Sequence, residues 1–443
     1  MANSFSSKIG VLLAAAGSAV GLGSIWKFPY VVGENGGGAF IMLYILCSLI
    51  FGLPLVMNEF LIGKRSGRSA YGAFRELSGT NRWQWFAWMT MIGVLILMSF
   101  YFIVTGWCFY YMIEAAMNTF AGMDATALEN YFKAFGGHAP LMIIYAGIAI
   151  ALTASVLWFD VNKGIERLSK ILMPMLFIML ILMALHMIFI DGGSKGLEYL
   201  FMPDFSKITS KVILEAIGLS FFTLSIGVGV LVTYGSYMPK DQNVTTTSLQ
   251  MIILVIIVSL LAGMIVFPAV FAYGFSPTEG PELTFVTLPE VFQHMVCPTL
   301  TSVAFFALMC VAAITSTISM MEVQVAFFCD ATARTSRPLN RHHSVILVAL
   351  IQFVTNSLVV LSMTGAVGWL TIMGYNLFDF ANFITTDVLI PLGALGVSLF
   401  TGWFVPKARY QGSPLASFLY LVILRWVVPI ALFIVFLNSM NII

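Results

Sequence analysis

An apolar run from Lys8 to Tyr30 cannot form one regular helix. It reads KIGVLLAAAGSAVGLGSIWKFPY, with Gly17, Gly21 and Gly23 close together and Lys27 and Pro29 just behind. Hydrophobic residues make up 60% of the chain and charged residues 9%, far from soluble averages, so the run belongs in a bilayer. Backbone amides there must be paired, and a broken helix is tolerated only where it lines a protein cavity. Glycine lets a ligand approach bare backbone. The ends of the two half-helices offer N–H groups to an anion and carbonyls to a cation. Such a break implies a binding site near mid-membrane.

The rest of the chain fits an all-α membrane protein. A spanning helix needs about 20 apolar residues, and about eleven segments qualify. Lysine and arginine bias sets orientation. With the N-terminus in the cytoplasm, Lys64, Arg65, Arg68, Arg75, Arg82, Lys163, Arg167 and Lys170 fall inside. An odd number of crossings then puts the C-terminus outside the cell, with the chain in the plasma (inner) membrane. The longer outer connections are expected near 119–138, 191–209 and 275–296. The first helix lacks the cleavage site of a signal peptide. The five cysteines show no Cys-x-x-Cys spacing, so neither a disulfide framework nor zinc is implied. No nucleophile–base pair marks an enzyme, and no basic, aromatic-interleaved patch marks a nucleic-acid binder.

The sixth segment carries a second break, SFFTLSIGVG from Ser220 to Gly229. The two breaks lie five helices apart. Five is odd, so the two halves enter the membrane from opposite sides. Paired interruptions in an inverted repeat mark a carrier's binding site. Glycine in a single helix would suit close packing alone. The expected organisation is a single transmembrane domain over 1–443. One repeat covers about 8–190, its inverted partner about 210–407, and an extra helix about 414–438.

At these residues the sequence resembles the neurotransmitter:sodium symporter family, in its bacterial eleven-helix branch with the leucine-transporter type of fold. The resemblance rests on Gly17 to Pro29, Glu34 to Phe40, Gly52-Leu-Pro-Leu55 with Glu59, Phe221 to Ser225, Ile314 to Ile318 and Asp379. It implies sodium-coupled symport of an amino acid by alternating access. The amides of Leu22 and Gly23 and the Tyr101 hydroxyl would meet a carboxylate. The carbonyls of Ala19, Phe222 and Thr223, with the Ser225 hydroxyl, would meet an ammonium. Leu97, Tyr101, Phe222, Val228, Ser316 and Met320 would surround the side chain. Gly21 stands where monoamine carriers have aspartate, which favours a substrate bearing its own carboxylate. This pocket is mostly apolar, so a neutral, hydrophobic amino acid is expected, and Val228, standing where the leucine carrier has a bulkier aromatic, leaves room for a larger side chain.

The resemblance also implies ion sites. Carbonyls of Gly17, Val20 and Ala312 with hydroxyls of Thr315 and Ser316 match the family's second sodium site, and a hard cation wants such oxygens. The first sodium site is depleted. Ala19 and Thr223 remain, but Ser24 replaces one amide side chain and Val255 the other, so this site is expected to be weak or absent. Tyr44 and Ser259 match two chloride-site positions while Leu219 and Val255 do not, and no chloride dependence is expected. Lys27 and Asp379 would form the outer gate. Tyr237, Ser236 and Asp330 resemble the cytoplasmic gate, but the N-terminal arginine that pairs with the aspartate is missing, leaving Phe5 and Lys8. Glu59, Glu114 and Glu322 are intramembrane carboxylates. The latter two keep open a proton-coupled carrier on the same fold. A non-transporting amino-acid receptor is the other alternative. No soluble partner is implied.

Overall fold

The computed structural model describes residues 4–275, 283–295, 297–333, 335–367, 369–404 and 420–439. Nine described helices are long and apolar enough to cross a membrane. The first segment adds a tenth as a bent pair, Lys8–Ala19 and Gly23–Glu34, inclined by 51°. The sixth expected segment is two short helices, Ser210–Thr223 and Val230–Ser236, each too short to span alone, with turns over 224–229 between them. Counted as one interrupted segment, it completes the expected set. The start of the last helix at 414 and the end of the second repeat at 407 lie outside the described residues, where the helix is described from Tyr420 to Leu437.

Proline punctuates these helices in a regular way. π-Helical turns at Gly23–Lys27, Ser48–Gly52, Leu283–Thr287, Ile384–Leu389 and Ile423–Val427 are each followed two residues later by Pro29, Pro54, Pro289, Pro391 or Pro429. Proline lacks an N–H and its ring crowds the carbonyl four residues back, so the preceding turn widens. The turn at Asn162–Glu166 has no such proline. There a Cβ on Gly164 would lie 2.4 Å from the Val156 carbonyl, and only glycine lets the chain pass.

The two long helices Gln84–Ala116 and Pro298–Thr332 bury most of their length and form the centre of the bundle with the broken segments. Ala139–Leu157, Asn162–Ile188 and Arg341–Met363 bury only a third or so of theirs, as bilayer-facing helices do. All three expected long connections contain short helices of their own, Ala125–Gly136, Ser194–Phe201 and Leu288–Gln293. One small hairpin pairs Thr371–Ile372 with Tyr375–Asn376.

Candidate functional site

The two breaks meet. Lys8–Ala19 ends at Val20, whose backbone (φ −80°, ψ 80°) leaves the helical region. The Ser18 carbonyl, freed near this end, accepts hydrogen bonds from Ser225 Oγ at 3.2 Å and Ser316 Oγ at 3.1 Å. In the sixth segment Ser225 takes a left-handed φ of 55°, a strained setting for a residue with a side chain. Gly227 follows at φ 83°. Its N–H donates to Glu59 Oε1 at 2.7 Å, and Glu59 is fully buried. Glu59 thus pairs with backbone and fixes the break where it stands.

Between the breaks lies a small cavity of about 30 Å³. It is lined by Ser18, Ala19, Gly21, Gly23, Leu97, Tyr101, Phe222, Ser225, Val228, Ser316, Met320 and Ile390, with no charged side chain among them. Leu22 N–H donates to the Tyr101 hydroxyl at 3.1 Å. A Cβ on Gly21 would sit 2.1 Å from Ser316 Oγ and 2.7 Å from the Tyr101 oxygen, so no side chain fits there. Phe222 packs over Gly23, where a Cβ would lie 2.9 Å from the ring. Most residues expected to surround a substrate are therefore brought together. Only the Thr223 side chain is engaged elsewhere: its Oγ1 donates to Leu219 O (3.0 Å) and contacts Tyr44 Oη (3.0 Å). Sequence reasoning missed Ser18 and Ile390. Ser18 acts through its carbonyl, and Ile390 is an apolar residue on a distant helix, so neither carries a side-chain signal.

The residues of the two ion sites differ in their surroundings. A Cβ on Gly17 would lie 3.5 Å from Thr315 Cβ, so the first segment and Pro298–Thr332 touch there. Thr315 Oγ1 bonds Ala312 O at 2.9 Å. Gly17, Val20, Ala312, Thr315 and Ser316 supply a set of neutral oxygens, which fits a hard monovalent cation. At the other site, Ser24 Oγ donates back to Ala19 O at 3.4 Å. Val255 is fully buried and offers no oxygen.

The gate residues depart from expectation. Asp379 is exposed in the first turn of its helix. Its Oδ2 accepts from Asn376 Nδ2 at 2.7 Å, and its N–H donates to Asn376 Oδ1 at 2.9 Å. A carboxylate at a helix N-terminus is well placed there, and it does not pair with Lys27. The Lys27 ammonium instead lies 4.4 Å from the Phe222 ring centroid. It lines a separate cavity of about 210 Å³ with Glu215, Thr386 and Asp387. Asp387 is thus the acidic residue of that helix that faces Lys27, two turns beyond the one expected.

The end of the bundle that carries the N-terminus is also rewired. Tyr237 Oη donates to Glu322 Oε1 at 2.8 Å, not to Asp330. Asp330 accepts from Ser69 N–H (2.9 Å) and Ser69 Oγ (2.6 Å), with Arg68 at 3.7 Å. Ser236 Oγ donates within its own helix to Thr233 O. Glu322 is fully buried and receives Arg341 through two bonds of 2.8 Å. The same guanidinium holds the carbonyls of Leu157 and Phe159 at 2.9 Å. A bidentate carboxylate–guanidinium pair fixes the geometry of both partners, so Glu322 is held between Arg341 and Tyr237. Glu114 is half-buried near the other end of its helix and accepts from Thr119 Oγ1 at 2.7 Å.

Comparison with known proteins places this architecture. The profile of the sodium:neurotransmitter symporter family matches residues 2–130 and 128–442. The sodium-dependent transporter YhdH of Bacillus subtilis is 36% identical over 99% of this chain and 98% of its own. A sodium-dependent transporter of Haemophilus influenzae is 30% identical over 98% of each chain. The crystal structure of MhsT in complex with L-phenylalanine superposes with a TM-score of 0.90 at 36% identity, covering 99% of each chain.

Proposed function

Because this chain belongs to the sodium:neurotransmitter symporter family, we propose that it carries a neutral, hydrophobic amino acid into the cell together with sodium, by alternating access. The family is one of sodium-coupled transporters, not enzymes. One observation carries the choice of substrate: the cavity at the paired breaks has no charged side chain. A zwitterion must then satisfy both charges with backbone and hydroxyl groups. The carboxylate goes to the amides of Leu22 and Gly23 and to Tyr101. The ammonium goes to the carbonyls of Ala19, Phe222 and Thr223 and to Ser225. The apolar walls of Leu97, Phe222, Val228 and Met320 take the side chain. MhsT, seen with L-phenylalanine, supports a large apolar or aromatic substrate. The small present cavity corresponds to a closed state, which must expand to admit such a side chain.

Sodium travels at the site of Gly17, Val20, Ala312, Thr315 and Ser316. Ala19, Ser24 and Thr223 alone, beside Val255, leave the first sodium site weak or absent. One sodium ion per cycle follows, with no role for chloride. The N-terminus lies in the cytoplasm, and repeats of about 8–190 and 210–407 move against one another. A ligand shifts that movement only by its different affinity for the two states, and ion and substrate share one cavity.

The test is uptake of a radiolabelled neutral amino-acid panel by proteoliposomes with an imposed sodium gradient. Sodium-dependent accumulation with a Hill coefficient near one is expected. Uptake that persists without sodium and collapses with an uncoupler would replace this reading with proton coupling. Saturable binding without accumulation would make the chain a receptor.

A further inference from the structure

One buried carboxylate belongs to neither the substrate site nor the gates considered so far. Glu166 lies in the Asn162–Glu166 turn with its side chain 1% exposed. Its Oε2 accepts the backbone N–H of Ser6 at 2.6 Å. Its Oε1 accepts Ser6 Oγ at 2.7 Å, Ser7 Oγ at 2.8 Å and the Lys170 ammonium at 2.6 Å. Ser7 also caps the first helix by accepting from Gly10 N–H at 3.1 Å. The fit depends on Gly10, where a Cβ would lie 2.3 Å from Glu166 Oε1.

The same short segment is anchored on its other side. Phe5 is 3% exposed, with its ring edge-on to Tyr234 at 5.6 Å and to Tyr237 at 6.3 Å. Its N–H donates to the Tyr237 carbonyl at 3.0 Å. Lys8 pairs with Asp241 at 3.0 Å. Residues 5–8 therefore form a strap that ties the sixth segment to the start of the fifth. Lys8–Ala19 cannot swing away from the fifth segment without stripping the Ser6 and Ser7 donors from Glu166, which then keeps only the Lys170 ammonium, and lost hydrogen bonds to a charged group are costly.

We propose that Glu166, gripping Ser6 and Ser7, is the latch that holds the N-terminal side of the carrier closed. This rests on the alternating-access reading above. It stands apart from the aspartate of the resembled gate, Asp330, which is occupied by Ser69 and Arg68. The latch is a carboxylate on the fifth segment, and the strap supplies neutral donors.

Hydrogen–deuterium exchange on the full chain, without sodium or amino acid, reads the latch directly. Glu166→Gln keeps the side-chain shape but removes the charge and replaces one of the two accepting oxygens, both of which are used, with an NH2 that cannot accept. Exchange over residues 4–19 is expected to rise about tenfold, the size expected when charge-assisted bonds to a carboxylate are lost. Ser6→Ala with Ser7→Ala should raise exchange over the same residues by less. The triple variant should rise no further than Glu166→Gln alone. Unchanged exchange in Glu166→Gln overturns the latch, as does an additive rise in the triple variant or a rise spread over every helix. Sodium-driven uptake by the unaltered chain is measured in parallel. Uptake without a local rise in Glu166→Gln sinks the latch and leaves the symport reading intact. A local rise in a chain that shows no uptake sinks both the symport reading and the gating role of Glu166.

Discussion

Single residues set what the pocket can accept. Gly21 has no room for even a methyl group beside Ser316 and Tyr101, and overpacking at such a point costs about 1–3 kcal/mol. Gly21→Ala should weaken amino-acid binding tenfold or more while leaving the melting temperature within a few degrees, as read by a scintillation proximity assay on purified protein. Val255 has the opposite character, since it is defined by the oxygen it lacks. Val255→Asn should move the sodium Hill coefficient of uptake from near one toward two. No change in cooperativity would show that the residues around Ala19, Ser24 and Thr223 do not form a repairable site. Gly21 was legible in the sequence because absence of a side chain is itself the signal. The roles of Ser18 and Ile390 were not, because one acts through its carbonyl and the other through shape.

Besides Glu166, two buried carboxylates hold segments in place. Glu59 fixes the break of the sixth segment through the Gly227 N–H. Glu59→Ala leaves that donor unpaired in the interior, a loss of about 1–3 kcal/mol, and should lower the melting temperature and abolish uptake together. Glu322 joins the eighth segment to Arg341 at the start of the ninth and to Tyr237 at the end of the sixth. Arg341→Met strands the buried carboxylate, and a loss of about 3–5 kcal/mol is expected. Adding Glu322→Gln should recover much of it, because the pair's cost lies in leaving one charge alone. Failure of the double variant to recover stability in a melting assay would mean that Arg341 acts mainly through the Leu157 and Phe159 carbonyls. The breaks themselves were legible from glycine and polar residues inside apolar runs. Their supports were not, since a lone glutamate in a helix does not say which neighbour it meets.

For the whole molecule, the orientation read from lysine and arginine predicts how a cell presents its ends. A tag on the N-terminus should resist protease added to intact cells, while one on the C-terminus should be removed. The reverse pattern would invert every statement about which side Glu166 closes. Composition, the eleven apolar runs and the paired breaks came from the sequence alone, because hydrophobic length and backbone pairing are local demands of a bilayer. The tertiary structure alone decided which charges meet. Lys27 faces Asp387 rather than Asp379 because Asp379 is held by its own helix cap. Glu166 reaches Ser6 across 160 residues, and Glu322 takes Arg341. Such pairings depend on which helix ends pack together and how each helix is rotated, and a wide turn ahead of a proline shifts that rotation for every residue beyond it.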